Sequence, residues 1–198
     1  EELTELLQFN IPQRLSVAHL YQAVRNGEEH LPQLRHLTTL AGYFHYRLTG
    51  VNAVCVDEAS GMFPIDCGNL TYDREMVEKT EALLAAHGAA VSIEALFPGI
   101  KAAGVIAGSL TKEGSALLGG LLPEGIPFAP ATGDGGTGMA ATNSVAPRTG
   151  NVSAGTSIFA DIVLERPLKK LYPEIDMVTP PAGRPVAEIH GNNCTADM

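Results

Sequence analysis

Between residues 132 and 157 the chain sets one carboxylate, Asp134, among Gly133, Gly135, Gly136 and Gly138. It then places Gly155-Thr156-Ser157 between Asn151-Val152-Ser153-Ala154 and the apolar run from Ile158 to Val163. Glycines leave the backbone uncovered and admit positive φ, so a large group can approach Asp134 closely. The amides and two hydroxyls of the second turn can face a phosphate. Together these features suit phosphoryl transfer, which requires the phosphates to be held, their charge neutralised and the attacking hydroxyl aimed and deprotonated. An ionised carboxylate can accept that hydroxyl's proton as it becomes acidic in the transition state. Each feature also has a plainer reading. Asp-Gly is a common turn pair whose carboxylate bonds nearby amides, and an isolated Gly-Thr-Ser is an ordinary hairpin turn that matches neither glycine-rich nucleotide-loop signature.

The elements around these turns must deliver them to one place. Ile126-Pro127-Phe128-Ala129-Pro130 reads as a strand running into the Asp134 turn, the usual way an α/β fold brings a reactive group to a strand's carboxyl end. Val152 to Val163 reads as a hairpin, and Val186 to Ile189 as a last strand. Upstream, Ser16 is placed to cap a helix with Val17, Leu20, Tyr21 and Val24 on one face, ending near Asn26-Gly27. Pro32 is expected to open a second helix with Leu34, Leu37, Leu40, Phe44 and Leu48 on a broad apolar side, stopped by Gly50. Asn52 to Asp66 reads as a loop with short strands lining a cleft. Asp73 caps a third helix that Gly88 ends, Val105-Ile106-Ala107 reads as a strand, and Thr111 caps a short helix to Leu118. Pro147-Arg148-Thr149-Gly150 is the turn-rich seam where a domain boundary is expected.

The chain has 198 residues, is 45% apolar and carries a formal charge of −9, enough for a real core and unsuited to nucleic acid or an anionic membrane. Its densest basic stretch is only Arg166 to Lys170. Cys55, Cys67 and Cys194 are unevenly spaced and form no Cys-x-x-Cys, which fits reduced thiols and a cytoplasmic location. No apolar run is long enough to span a bilayer and no leader pattern is present. The six histidines lack zinc-ligand spacing, His190 to Cys194 included, so no protein-held metal is expected.

Both glycine turns resemble the FGGY carbohydrate kinases, with the nearest likeness in the xylulokinase branch. In that family a glycine-rich turn carries a general-base aspartate, and a later Gly-Thr-Ser or Gly-Thr-Gly turn binds nucleotide phosphate. Asp134, Gly138 and Gly155-Thr156-Ser157 stand in those places. Upstream, Arg47-Leu48-Thr49-Gly50 and then Asp57-Glu58-Ala59-Ser60-Gly61, closing at Asp66, resemble a second pair of family segments, so the likeness runs from about Leu37 to Val163. The resemblance implies a ribonuclease H-like, actin-type α/β fold with a mixed sheet and helices. It assigns residues 1–146 to the later part of a sugar-binding domain and 147–198 to the start of a nucleotide-binding domain.

It further implies transfer of the γ-phosphate of ATP to a ketose or polyol hydroxyl, with Asp134 as base, Asp134 and Gly135 against the sugar, and Gly155, Thr156 and Ser157 on the ATP phosphates. Mg2+ is expected to arrive with ATP rather than through a dedicated site, and a homodimer is compatible with this reading. The family's Asp-x-Gly-Thr phosphate hairpin has no counterpart before residue 132, and its glycine-rich adenosine segment has none before Met198. The chain is therefore expected to be an internal portion of a longer kinase and inactive alone. Gly135 stands where the family commonly has Asn or Gln, and Ala131-Thr132-Gly133 where it has three glycines, which leaves the sugar unassigned. Asp57 reads as structural. Two other classes remain open: a non-catalytic nucleotide or sugar sensor on the same fold, and a hydrolase using Ser157, for which no Gly-x-Ser-x-Gly elbow is present.

Overall fold

Two packing centres of unequal size organise the chain, in a computed structural model that describes residues 1–155 and 158–191. In chain order the first part contains α1 (Glu2–Leu7), α2 (Ser16–Asn26), α3 (Leu40–Thr49), β1 (Ala53–Cys55), α4 (Val56–Ser60), β2 (Ile65–Asp66), β3 (Thr71–Tyr72), α5 (Arg74–Ala86) and α6 (Ile93–Leu96). Next come β4 (Gly99–Lys101), β5 (Gly108–Ser109), α7 (Lys112–Leu117), β6 (Pro127–Phe128) and α8 (Asp134–Ala141). The chain continues with β7 (Gly150–Ala154), β8 (Ile158–Val163), β9 (Asp176–Val178) and β10 (Val186–His190).

The larger core lies where α1, α2, α5 and α6 bury their apolar faces around Met62 and Phe63. The α2 spacing works as expected: Val17, Leu20, Tyr21 and Val24 are buried and Gly27 ends the helix at φ 62°. Its start differs, because Ser16 is already helical, Leu15 is the cap residue and no side chain bonds the free amides. Asp73 caps α5 by accepting the Met76 N–H at 3.0 Å. Phe63, Tyr72 and Phe97 meet edge to face at centroid separations of 5.7–6.3 Å, a geometry that adds to their area burial. The smaller core is Met139 of α8 against Val163, Val186 and Val178.

Four sequence expectations are corrected. The helix opening at Pro32 is only a single 3-10 turn, and α3 starts eight residues downstream of that proline, at Leu40, where Thr39 caps it by accepting the Gly42 N–H. The intervening backbone is extended, and Leu37 donates to the Leu96 carbonyl, a tertiary bond that displaces the helical one. The α3 apolar side is also not its core side: Leu40 and Phe44 are exposed, whereas Gly42, His45 and Thr49 are buried. Residues 56–60 form a helix rather than loop, and Val105-Ile106 lie in an exposed turn rather than a strand.

Parallel and antiparallel pairing fall in separate sheets among the described residues. β1 pairs parallel with β4, and on its other edge Val54 bridges Ala131, also parallel. β2–β3 and β5–β6 are small antiparallel ladders, and the last sheet is antiparallel in the order β7-β8-β10-β9.

Candidate functional site

The two parallel segments that flank each other at Val54 and Ala131 both end in carboxylates. Val54 is fully buried, and Cys55 donates its N–H to the Ala131 carbonyl at 2.7 Å, so the chain beyond β1 and the chain beyond Ala131 emerge side by side. The first turns into α4 and presents Asp57. The second turns into α8 and presents Asp134 as the helix's first residue, after the cap residue Gly133. The expected strand over residues 126–130 is confined to Pro127–Phe128 and pairs antiparallel with β5, so Asp134 follows a single parallel bridge at Ala131 instead.

The local conformation differs from the expected glycine turn. Residues 134–141 are α-helical despite three internal glycines, and none of Gly133, Gly135, Gly136 and Gly138 has positive φ. What these positions supply is close approach. The Gly133 N–H donates to Asp57 Oδ2 at 3.0 Å. A Cβ on Gly136 would sit 2.9 Å from both Cβ and Cγ of Asp57, and one on Gly133 would lie 3.0 Å from Glu58 Oε2. Gly135 faces the Phe159 ring, which a Cβ there would touch at 3.7 Å. Asp134 is exposed, and among the described residues its carboxylate accepts one hydrogen bond, from the adjacent Gly135 N–H to Oδ1 at 2.9 Å.

Asp134 opens on a cleft of about 250 Å³ whose floor includes Asp57, Ser60 and Gly133–Gly136. Its opposite wall is built by the last sheet, with Phe159 and Asp161 from β8 and Glu188 and His190 from β10. Register explains this wall, because Asp161 pairs with Glu188 and Phe159 with His190, and alternate residues of a strand share one face. Asp161 is buried, and its Oδ1 has no hydrogen-bond partner among the described residues. Burial first, then the charge of Glu188 and a hydrogen bond with it, push the Asp161 carboxyl up to about 7.

Arg14, from the segment before α2, crosses to this wall. Its guanidinium lies 2.9 Å from Asp176 Oδ2, 2.5 Å from Glu188 Oε1 and 3.1 Å from His190 Nε2. Asp176, Glu188 and His190 converge closely enough to resemble a metal cage, but the guanidinium already stands among them. A second link joins the two sides: Thr179 N–H donates to Ser60 Oγ at 3.1 Å, and Ser60 donates to the Asp57 carbonyl at 2.7 Å.

Of the residues singled out from sequence, Asp134 and Gly135 lie in the cleft. Gly155 lies exposed at the end of β7, on the tight β7–β8 hairpin that the sequence indicates. Thr156 and Ser157 lie outside the described residues. Arg14, Asp161 and Glu188 were not flagged by sequence; for Asp161 and Glu188 the available signal was a charged residue within an otherwise apolar strand, and for Arg14, in the segment before α2, there was none. No helix among the described residues is long and apolar enough to cross a membrane.

No protein-family model and no curated protein matches the sequence. Solved structures do match. A xylulose kinase from Rhodospirillum rubrum is 19% identical with a TM-score of 0.69 over 94% of this chain and 36% of its own. A gluconate kinase from Lactobacillus acidophilus is 15% identical with a TM-score of 0.77 over 97% and 37%. A glycerol kinase from Plasmodium falciparum, solved with ADP, is 12% identical with a TM-score of 0.72 over 99% and 38%. The chain therefore has the α/β fold of these carbohydrate kinases, and it spans little more than a third of their length.

Proposed function

We propose that the intact protein is an ATP-dependent carbohydrate kinase of the FGGY kind, on a ribonuclease H-like, actin-type fold, that phosphorylates a hydroxyl of a ketose or polyol. The observation that carries this reading is Asp134: an exposed carboxylate at the first residue of a helix, facing a cleft between the two packing centres. One of its oxygens is held by the Gly135 amide and the other is free to take a proton from an acceptor hydroxyl. Gly135 has no side chain, and the Phe159 ring closes over it, leaving Asp134 on the side open to the cleft where a sugar can lie.

The matching kinases act on xylulose, gluconate and glycerol, as their names state, which supports a polyhydroxylated acceptor and leaves its identity open. Mg-ATP would supply the transferable γ-phosphoryl group. Gly155, Thr156 and Ser157 would hold its phosphates, and the exposed, side-chain-free position of Gly155 at the hairpin end fits backbone approach by a phosphate. The proposed domain division runs near Ala146–Pro147. Helix α8, which bears the base, packs Met139 across that division onto Val163 and Val186, tying the base's position to the second part of the chain.

The test is ADP release by the intact protein over a panel of ketoses and polyols, comparing wild type with Asp134→Asn. Sugar-dependent turnover in the wild type and a kcat lower by about 10²–10⁴ in the variant are expected. A variant with near-normal kcat on the best sugar would show that Asp134 only forms the turn.

A further inference from the structure

We infer that Asp57 is a positioning residue for Asp134, holding the first turn of α8 so that the base faces the acceptor; this rests on the kinase reading. The two residues are far apart in sequence and meet because the segments on either side of the Val54–Ala131 bridge end together. Asp57 Oδ2 takes the N–H of Gly133, the residue immediately before the base. A helix's first amides lack partners within the helix, and a carboxylate at that end is stabilised by the helix dipole. Gly136, the third helical residue, has no side chain to reach back to the Gly133 N–H as a capping-box residue would. Asp57 supplies the acceptor from another element.

The absence of side chains at Gly133 and Gly136 belongs to the same device. At Gly136 a methyl group would overlap the Asp57 carboxylate, and at Gly133 it would crowd Glu58. The glycines around the base therefore admit the α4 carboxylates on one side of the helix start, while Asp134 points into the cleft on another. Asp57 itself is anchored behind: its carbonyl accepts from Ser60, whose hydroxyl also receives the Thr179 N–H. The run of hydrogen bonds from Thr179 through Ser60 and Asp57 to Gly133 is continuous, so displacing Asp57 releases the residue on which the base is mounted.

Two variants separate positioning from bulk stability, because Asp57→Asn retains an oxygen that can accept from Gly133 and Asp57→Ala does not. In the intact protein, Asp57→Ala is expected to lower kcat by about tenfold to a hundredfold with KM for ATP little changed, since small misplacements of a catalytic group have costs of this size. Asp57→Asn is expected to recover most of that loss. Gly136→Ala should give a similar defect, and the double variant Asp57→Ala/Gly136→Ala should cost less than the sum, because most of the clash has gone.

A readout independent of turnover is amide hydrogen exchange across residues 131–138: protection should fall in Asp57→Ala and persist in Asp57→Asn. If wild-type protein releases no sugar-dependent ADP, the kinase reading fails while the exchange result still decides whether Asp57 holds the turn. Unchanged protection in Asp57→Ala, or unchanged kcat in an active enzyme, overturns the positioning role.

Discussion

The two walls of the cleft hold carboxylates in opposite circumstances. On one, Asp134 is exposed at a helix start with a single short-range hydrogen bond to its carboxylate among the described residues. On the other, Asp161 is only 2% exposed, lies opposite Glu188 in the ladder and leaves one oxygen without a partner. The first arrangement keeps a proton acceptor within reach of solvent-borne substrate. The second withdraws charge from water, and Arg14, reaching over from the first packing centre, compensates its neighbours Glu188 and Asp176. Exposure suits a group that exchanges protons with a ligand, whereas burial with a partner suits one that fixes the wall.

If that contrast is right, the largest effect should be catalytic and confined to the exposed wall. Asp134→Asn is expected to leave the melting temperature within a degree or two while kcat falls by on the order of 10²–10⁴. A large loss of stability in this variant would put Asp134 in the same class as Asp161. Next, Arg14→Ala should leave Asp176 and Glu188 facing each other without their counter-charge. A loss of about 1–3 kcal/mol is expected from denaturant melts, discounted because the arginine side chain is 41% exposed. A loss under about 0.5 kcal/mol would reduce the bridge to an ordinary surface pair.

The pH dependence of the buried wall sharpens the comparison further. The Asp161 carboxyl titrates near 7 in the folded chain and near an ordinary aspartate value when unfolded. Between those values the native state binds a proton that the unfolded state has released. Stability from this group is therefore full below about pH 4 and falls as pH rises through about 7. Asp176 is also shifted upward by burial, with Arg14 opposing, and acts in the same sense. Asp161→Asn should melt higher than wild type by a few degrees at pH 8 and by less at pH 5. Parallel curves for the two proteins would remove Asp161 from this account.

The smallest expected effect is at the hairpin. Gly155→Val should weaken ATP binding by about tenfold in calorimetry, with sugar binding unaltered, because branches block backbone approach. Equal ATP affinity would return this turn to a plain connection.

Local signals in the sequence were good guides where one residue type decides one conformation. The caps at Asp73 and Thr111 and the α2 burial pattern follow from neighbours a few positions apart. The start of α3 was not legible, because the Leu37–Leu96 bond that keeps residues before Thr39 extended comes from a distant element. Asp134 stood out by its glycines, yet their reason did not. An uncovered backbone and positive φ were expected to admit a large ligand; the glycines have no positive φ, and what approaches Gly133 and Gly136 is a carboxylate brought against the helix start by parallel pairing. The Asp161–Glu188 pair depends on the β8–β10 register, which no local pattern specifies.

Arg14 also has a bearing on motion. Widening the cleft requires separating its guanidinium from the β9–β10 carboxylates, and the side chain is open enough for mobile ions to compete. Coulomb attraction at such a site weakens as the Debye length shrinks from about 10 Å at 0.1 M salt to about 3 Å at 1 M. Ionic strength thus tunes one of the two links across the cleft, while the uncharged Thr179–Ser60 bond is left insensitive to salt.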